Sequence, residues 1–500
     1  MNAKKANNTG SLKADVVVIG SGGGLGAAVA AAEGGSSVIL LEKEGITGGW
    51  TRQANAMLAV ESPLQKRQNV TITADDIFKR FVDYHHCYRI NPRVVRAYYN
   101  RSGDTIRWLE EKGVEFELQN NAVGLAVVHM PSNMMASVQN ALYHSAQKLG
   151  VNILLHTSGK KIIRKKNGKV AGVIAIKEGE EFEIQTDAVV IATGGFGANR
   201  ELLKKYCPDY YDDMQLWTWP PHFEAHSGDG IYMAEEIGAG MADWVPIYHR
   251  AAPDFGGYPW KPNIPWSLNG RMMWVNKKGK RFIDEIGTPV MYAGNILFSQ
   301  PGKLAYALFA DDLVQFTESE GSAETGLGRQ KHSKLGGGVI IAKPVPVTGL
   351  REKLEILVDK TGLKIADSWD DIANWIGCDP KVLKAEINEY NSFCDKRHDA
   401  IFVKDPKALI PLRKPPYYGI RIYGDVGETL GGIIVDENMA VLDKQANVIP
   451  GVFAAGVVAD GHQGQTYDHD ALSGSAVGFA VVSGHIAGES AARYIKTINR

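Results

Sequence analysis

A glycine turn between a strand and a helix near the start of the chain restricts its fold more than any other feature. Residues 14–20 (ADVVVIG) form a short β-branched run ending in glycine, the pattern of a buried parallel strand. The turn Gly20-Ser21-Gly22-Gly23-Gly24-Leu25-Gly26 opens an Ala-rich stretch, residues 24–33, that reads as a helix. A second strand, residues 37–42, ends on Glu42, about twenty residues on, where the dinucleotide fingerprint places its acid. Glycines in the turn let the backbone approach a pyrophosphate, and the helix N-terminus turns free N–H groups and a positive dipole towards it. Glu42 is positioned to accept hydrogen bonds from ribose hydroxyls, and its charge disfavours the 2′-phosphate of NADP. One departure stands out. Leu25 occupies the place of the third fingerprint glycine and Gly26 follows it, so the close helix–strand packing is expected to use Gly26 in a shifted turn.

A chain of 500 residues, 44% of them hydrophobic, can bury more than one core. Residues 102–113 read as a helix capped by Ser102 and stopped by Gly113, residues 151–187 as short strands with turns at 166–168 and 179, and residues 188–197 as another buried strand entering a glycine turn. From about residue 243 to 428 prolines and tryptophans become frequent and the pattern mixes strands with helices, including one at 379–397 with Asp379 as cap and Pro380 in its first turn. From Leu430 the βα texture returns and closes on a small-residue helix at 473–494. The organisation expected is α/β, a Rossmann-like nucleotide-binding domain made of both chain ends with an α+β domain inserted between them.

Net charge is −1, which gives no electrostatic reason to expect a nucleic-acid or membrane-surface partner. The four cysteines, Cys87, Cys207, Cys378 and Cys394, form no haem or iron–sulfur pattern, so electrons are expected from a separate donor or acceptor. No apolar run of spanning length occurs and the first residues are polar, so the expectation is a cytoplasmic protein without membrane insertion.

Several motifs, in order, resemble the fumarate reductase / 3-ketosteroid dehydrogenase superfamily of flavoproteins. They are the Gly20 turn with Leu41-Glu42-Lys43, then Thr47-Gly48-Gly49 and Thr51, Ala192-Thr193-Gly194-Gly195-Phe196, and Gly228-Asp229-Gly230-Ile231. Next come Val275-Asn276-Lys277-Lys278-Gly279-Lys280-Arg281-Phe282 with Glu285, and Pro415-Pro416-Tyr417-Tyr418. The last are Leu430-Gly431-Gly432-Ile433 and the run from Ile449 to Gly456. The resemblance implies an FAD domain from residues 1–244 and 429–500, and a capping domain, 245–428, that closes over the flavin and excludes water from a hydride transfer. It implies cofactor contacts from Gly20, Gly22, Gly23, Gly24, Glu42, Lys43, Gly48, Gly49, Thr51, Thr193, Gly194, Gly195, Asp229 and Gly456. The turn Leu472-Ser473-Gly474-Ser475-Ala476 would present the last helix's N–H groups to the flavin pyrimidine edge, giving roles to Leu472, Ser473, Ser475 and Ala476.

The departures from the family narrow the chemistry. Trp50-Thr51-Arg52-Gln53 lacks the histidine of covalent-FAD members, which implies non-covalent FAD. Dicarboxylate reductases place an arginine donor where Pro289 stands, a histidine at Glu428 and an arginine clamp at Ala471, and Val457 replaces an acid that contacts the ribityl chain. Without a bidentate arginine a buried carboxylate lacks its natural partner, so fumarate is an unsuitable substrate. Thr466-Tyr467 resembles the Thr-Tyr segment of ketosteroid dehydrogenases, although Asp468-His469-Asp470 replaces the proline and glycine residues found after the tyrosine in those enzymes.

The expectation is an FAD-dependent enzyme that moves hydride between flavin N5 and a carbon–carbon bond activated by a neighbouring carbonyl, on an apolar ketone. Tyr467 would donate to the ketone oxygen and Tyr292 would handle the α-proton. One rival is a carboxylate enoate reductase using Arg271 or Arg250; another is an electron-transfer subunit with no substrate of its own. Other groups stay open. His462 with Asp468-His469-Asp470 reads as a polar rim of the active site, or as solvated residues, rather than a metal site. His85-His86 is surface or a satisfied core pair. Trp217, Trp219, Trp260 and Trp266 line either a substrate cavity or an interdomain contact. Lys334-Leu335-Gly336-Gly337-Gly338 is followed by no helix and is not a second dinucleotide site.

Overall fold

The computed structural model describes residues 12–121, 124–210, 212, 215–216, 223–253, 271–285, 290–320, 348–358, 361–464, 467 and 472–499. The opening is β1 (Val16–Ile19), α1 (Gly24–Glu33) and β2 (Val38–Leu41), with all eight strand residues buried. Burial on both faces is why these strands are continuously apolar rather than alternating. Further along, past a helix at Ala74–His85, comes α2 (Pro92–Glu110), whose cap is Asn91, accepting from the N–H groups of Arg93 and Val94. Ser102 therefore lies inside this helix rather than capping a later one; its Oγ donates to the Tyr99 carbonyl, 2.8 Å away. The Asn91-Pro92 pair is the start signal that Ser102 obscured.

β3 (Asn152–Leu154) pairs in parallel with β2, and β4 (Ala188–Ile191) pairs in parallel with β1 on its other side. Between them Thr157–Arg164, Val170–Lys177 and Glu180–Gln185 form an antiparallel sheet. The inserted region then builds its own sheet from β5 (Ile247–Pro253), β6 (Met273–Asn276), β7 (Ala305–Ala310) and the long β8 (Tyr417–Thr429), together with α3 (Val290–Phe298) and α4 (Pro380–Lys396). Asp379 caps α4 through the Lys381 N–H, and Pro380 occupies its first turn. The two-residue strand Gln215–Leu216, which precedes residue 245, also pairs with β8.

Alternation works as period 2 requires in this sheet. Ala305, Ala307 and Phe309 of β7 pack into one apolar cluster with Tyr418, Ile420 and Ile422 of β8, while Tyr306, Leu308 and Ala310 pack into a second one on the opposite face. Helices cover both faces, so the insert has its own core.

β8 leads back into the first domain. β9 (Ala440–Leu442) and β10 (Val448–Ala454) complete a six-stranded sheet in the order β9, β10, β4, β1, β2, β3, and α5 (Ser475–Ile498) ends the chain. Only the β9–β10 pairing is antiparallel. α5 lies against α1 at near-backbone distance. A Cβ on Gly484 would fall 2.1 Å from the Gly23 carbonyl oxygen, and one on Gly23 would fall 2.7 Å from that of Ala480. Gly26 faces the same helix, 3.3 Å from the Val481 oxygen, whereas Gly24 is the residue pressed on the strand, 2.9 Å from Val18. The helix–strand contact thus belongs to Gly24, and the expected shift to Gly26 does not occur.

Candidate functional site

The C-terminal ends of β1, β2, β4 and β10 converge on a cavity of about 320 Å³. Parallel strands end on one side of the sheet with their loops splayed apart, which makes this a natural place for a crevice. Gly20, Gly22, Gly23, Glu42, Lys43, Gly49, Thr51, Thr193, Gly194, Asp229 and Gly456, all expected as cofactor contacts, line it. Gly24, Gly48, Gly195, Leu472, Ser473, Ser475 and Ala476 do not. Gly24 is spent on β1, as above. Gly195 lies behind the wall, where a Cβ would strike Glu428 and Thr429 within 2.4 Å. Leu472 to Ala476 surround the start of α5, outside this cavity.

The turn is built to take an anion. Gly23 caps α1 without a side-chain hydrogen bond and the first turn holds no acid, so among the described residues no side chain caps its leading N–H groups. Thr193 Oγ1, buried in the same wall, has no hydrogen-bond partner among the described residues. Glu42 is buried, and its carboxylate already accepts from the Ser21 N–H at 3.1 Å, the Ser21 hydroxyl and the Glu44 N–H at 2.9 Å. Ser21 in turn accepts from the Gly48 N–H at 2.7 Å, tying the turn to the Thr47-Gly48-Gly49 loop. These features fit the diphosphate and ribose of a dinucleotide. Glu42→Ala should lower FAD occupancy of the purified protein, because each charge-assisted hydrogen bond lost costs on the order of 1.5–3 kcal/mol. Unchanged retention of FAD on dilution would count against this role.

Two close side-chain pairs in the wall join segments remote in sequence. Lys43 Nζ lies 2.9 Å from Asp229 and 2.8 Å from the Ser227 hydroxyl. His226 Nδ1 lies 2.6 Å from Glu428 Oε2, and the edge of its ring meets Trp50 with centroids 5.1 Å apart. Glu428 is delivered by the last turns of β8, and its other oxygen accepts from the Thr429 N–H. Sequence reading missed His226 altogether, although it stands two residues before the Gly228-Asp229-Gly230 motif. Val457 lines the cavity, as do Arg52, Gln53 and Thr157 to Gly159, which carried no sequence signal.

The expected catalytic tyrosines fall in different places. Tyr467 is buried; its oxygen accepts the Gly474 N–H at 2.9 Å, at the head of α5, and its ring stands edge-on to Tyr248 at 5.3 Å. Tyr292 lies on α3, but its side chain is outside the described residues, as is that of Arg250. Pro289, Thr466, Asp468, His469, Asp470, Ala471, the four tryptophans Trp217, Trp219, Trp260 and Trp266, and Lys334 to Gly338 also lie outside them. Arg271 is buried in the cap with its guanidinium 4.2 Å from the Phe316 ring centroid, away from the cavity.

His462 does not form a polar rim. It is buried flat against Phe479, with ring centroids 4.1 Å apart, and burial pulls its pKa down to about 3, so it is a neutral core group. His85 is likewise buried, pulled by burial to about 4, while His86 beside it is exposed. Among the described residues no helix is long and apolar enough to cross a membrane.

Comparison with known proteins bears on the same features. Residues 15–473 match the FAD binding domain family. Vinyl phenol reductase of Lactiplantibacillus plantarum is 32% identical, over 96% of each chain. Among solved structures, the open conformation of a flavocytochrome c3 fumarate reductase is 26% identical with a TM-score of 0.67, covering 97% of this chain and 79% of that one. A 3-ketosteroid delta1-dehydrogenase from Sterolibacterium denitrificans superposes with a TM-score of 0.71 at 18% identity, covering 97% and 100%.

Proposed function

The chain belongs to the FAD-binding-domain family of fumarate reductase and 3-ketosteroid dehydrogenase type, an FAD-dependent C=C oxidoreductase, and from that premise we propose that its substrate is an uncharged conjugated alkene with an oxygen at the end of the conjugation, an enone or a hydroxystyrene. Bound FAD supplies a hydride at N5 or takes one up there. The chain's own residues have three tasks. Gly20 to Gly24 and Glu42 hold the dinucleotide, residues 245–428 close over it and exclude water, and Tyr467 and Tyr292 hold protons at their phenol oxygens for the substrate.

The observation that carries the choice of substrate is Glu428. It places a buried carboxylate in the cavity wall, held by His226, where dicarboxylate reductases have a histidine. At this position a carboxylate substrate would find another carboxylate instead of a cationic partner. The relative from L. plantarum is named for vinyl phenol, an uncharged alkene conjugated through a ring to oxygen. Electrons would come from, or go to, a separate partner.

A panel of acceptors tests this. Purified protein reduced with dithionite should be reoxidised by enones or vinyl phenols, and fumarate should not reach an ordinary enzymatic rate of about ten per second. Fumarate turnover at that rate, or reoxidation by enoic acids alone, would overturn the reading.

A further inference from the structure

The helix Met134–Lys148 packs against α1 and against the turn Gly49–Gln53. Its buried face is Met135, Val138, Gln139, Leu142 and Ala146, the spacing of an apolar stripe with Gln139 as the one polar residue in it. Gln139 is fully buried. Its Nε2 donates to the Gly22 carbonyl at 3.1 Å, and its Oε1 has no hydrogen-bond partner among the described residues. A buried amide with an idle oxygen is a worse filler of an apolar stripe than a leucine. What Gln139 has and leucine lacks is the bond to Gly22.

That bond sets the direction of one peptide in the dinucleotide turn. The Ser21 and Gly23 carbonyls take the N–H groups of Leu25 and Ala27, and the Gly22 carbonyl takes the Gln139 side chain. In a trans peptide the C=O and the following N–H lie in one plane and point opposite ways. Gly22 and Gly23 line the cavity and Gln139 does not. A Gly22 carbonyl drawn towards Gln139 therefore faces away from the cavity, and the Gly23 N–H faces it. Turned over, the same peptide would present an oxygen to an entering anion. A run of three glycines, Gly22 to Gly24, does not impose either orientation by itself.

Gln139 is itself held in place. A Cβ on Gly48 would fall 3.1 Å from Gln139 Cγ, and the Gly48 N–H is bonded to Ser21 in the turn. Beside it Asn140 accepts from Arg52 at 2.8 Å, and the Met135 N–H donates to the Ala54 carbonyl at 2.9 Å. The helix, the loop 47–54 and the turn are thus tied together.

We propose that Gln139 is a positioning residue of the cofactor site: its amide holds the Gly22 carbonyl out of the cavity and so turns the Gly23 N–H towards the diphosphate of FAD. The proposal rests on the placement of FAD in this cavity.

The test is FAD release from the holoenzyme on dilution, read by flavin fluorescence, with the unfolding midpoint measured in excess FAD. Gln139→Leu keeps the size and suits the apolar stripe, so it should fold with a midpoint near that of wild type. Its FAD dissociation constant should nevertheless rise by about 2- to 10-fold, the worth of one neutral hydrogen bond. Gln139→Ala should weaken FAD binding at least as much and also lower the midpoint, because it opens a cavity in the stripe. Wild-type FAD retention in Gln139→Leu, or weaker retention that comes with a midpoint as low as that of Gln139→Ala, would assign the residue to packing and overturn the proposal. Glu42→Ala, on the ribose side, separates the premise from the proposal. If Glu42→Ala loses FAD and Gln139→Leu does not, only the role of Gln139 fails. If both keep FAD as wild type does, the placement of FAD fails, and the proposal with it.

Discussion

Replacing Glu285 with alanine should cost about 3–5 kcal/mol of stability, the expected result of removing one member of a closed, fully buried charge network. Glu285 accepts from Arg281 Nε and Nη2, both at 2.9 Å, from the Trp274 N–H at 3.0 Å, and pairs with Lys404 Nζ at 3.0 Å. Arg281 also pairs with Asp399 at 2.6 Å, and Lys404 donates to the Met272 carbonyl at 3.0 Å. The side chains of Glu285, Lys404 and Asp399 expose nothing to solvent. Burial works against the charged carboxylate, but Lys404 and Arg281 outweigh it and hold Glu285 below its ordinary range. Burial is also the stronger influence on Lys404 and lowers its pKa against the pull of Glu285.

The network is neutral as it stands, two cations against two anions. Without Glu285 two buried cations share Asp399, and one of them must lose its proton or the cap must open. Thermal unfolding of the holoenzyme, with limited proteolysis to locate the opened region, should show a lower first transition and early cleavage within residues 245–428. Lys404→Met combined with Glu285→Met should recover part of the loss, because it removes charge in pairs. A Glu285→Ala protein within about 0.5 kcal/mol of wild type, the range of an ordinary surface substitution, would show that the network is not what holds the cap.

The network also marks the limit of what the sequence makes legible. Glu285 and Arg281 belong to a local motif, and four residues on one turn of chain can be read as neighbours. Asp399 and Lys404 are more than a hundred residues away and carry no signal that they close the same cluster. The same division runs through the cavity. The Gly20 turn, α1 and Glu42 follow from apolar periodicity and turn chemistry, which are local, and α1 occupies the expected residues. The Lys43–Asp229 and His226–Glu428 pairs depend on how β8 returns from the cap and how the loop before Gly228 folds over β4, and neither is a local property. Gly26 shows a subtler case. That a glycine was needed there was visible, but its partner was α5, from the other end of the chain, and not the adjacent strand. Burial overturned the reading of His462, because a histidine in a polar run looks solvated until Phe479 is packed against it.

Tyr467→Phe should lower turnover by roughly 10²–10⁴-fold, the range for loss of a positioned general acid, while the protein keeps its FAD. Reducing an enone builds negative charge on the carbonyl oxygen, and a donor already in place lowers the barrier without reorganisation. The Tyr467 oxygen accepts the Gly474 N–H at the head of α5, which fixes the phenol. Its ring stands against Tyr248, and Tyr248 is paired across the β5–β8 ladder with Glu428, a residue of the cavity wall. That chain of contacts links Tyr467 to the cavity wall, although Tyr467 is not among the residues that line it. A packing role predicts a different outcome. Phenylalanine keeps the ring contact with Tyr248 and leaves the Gly474 N–H without its acceptor, a loss of about 1–3 kcal/mol of stability with turnover preserved. Turnover on the substrate, the visible spectrum of bound FAD and the unfolding midpoint, measured on one preparation, therefore separate the two. A near-wild-type turnover with a lowered midpoint would leave Tyr467 a structural residue, and the proton would have to come from the cap, where Tyr292 on α3 is the next to change.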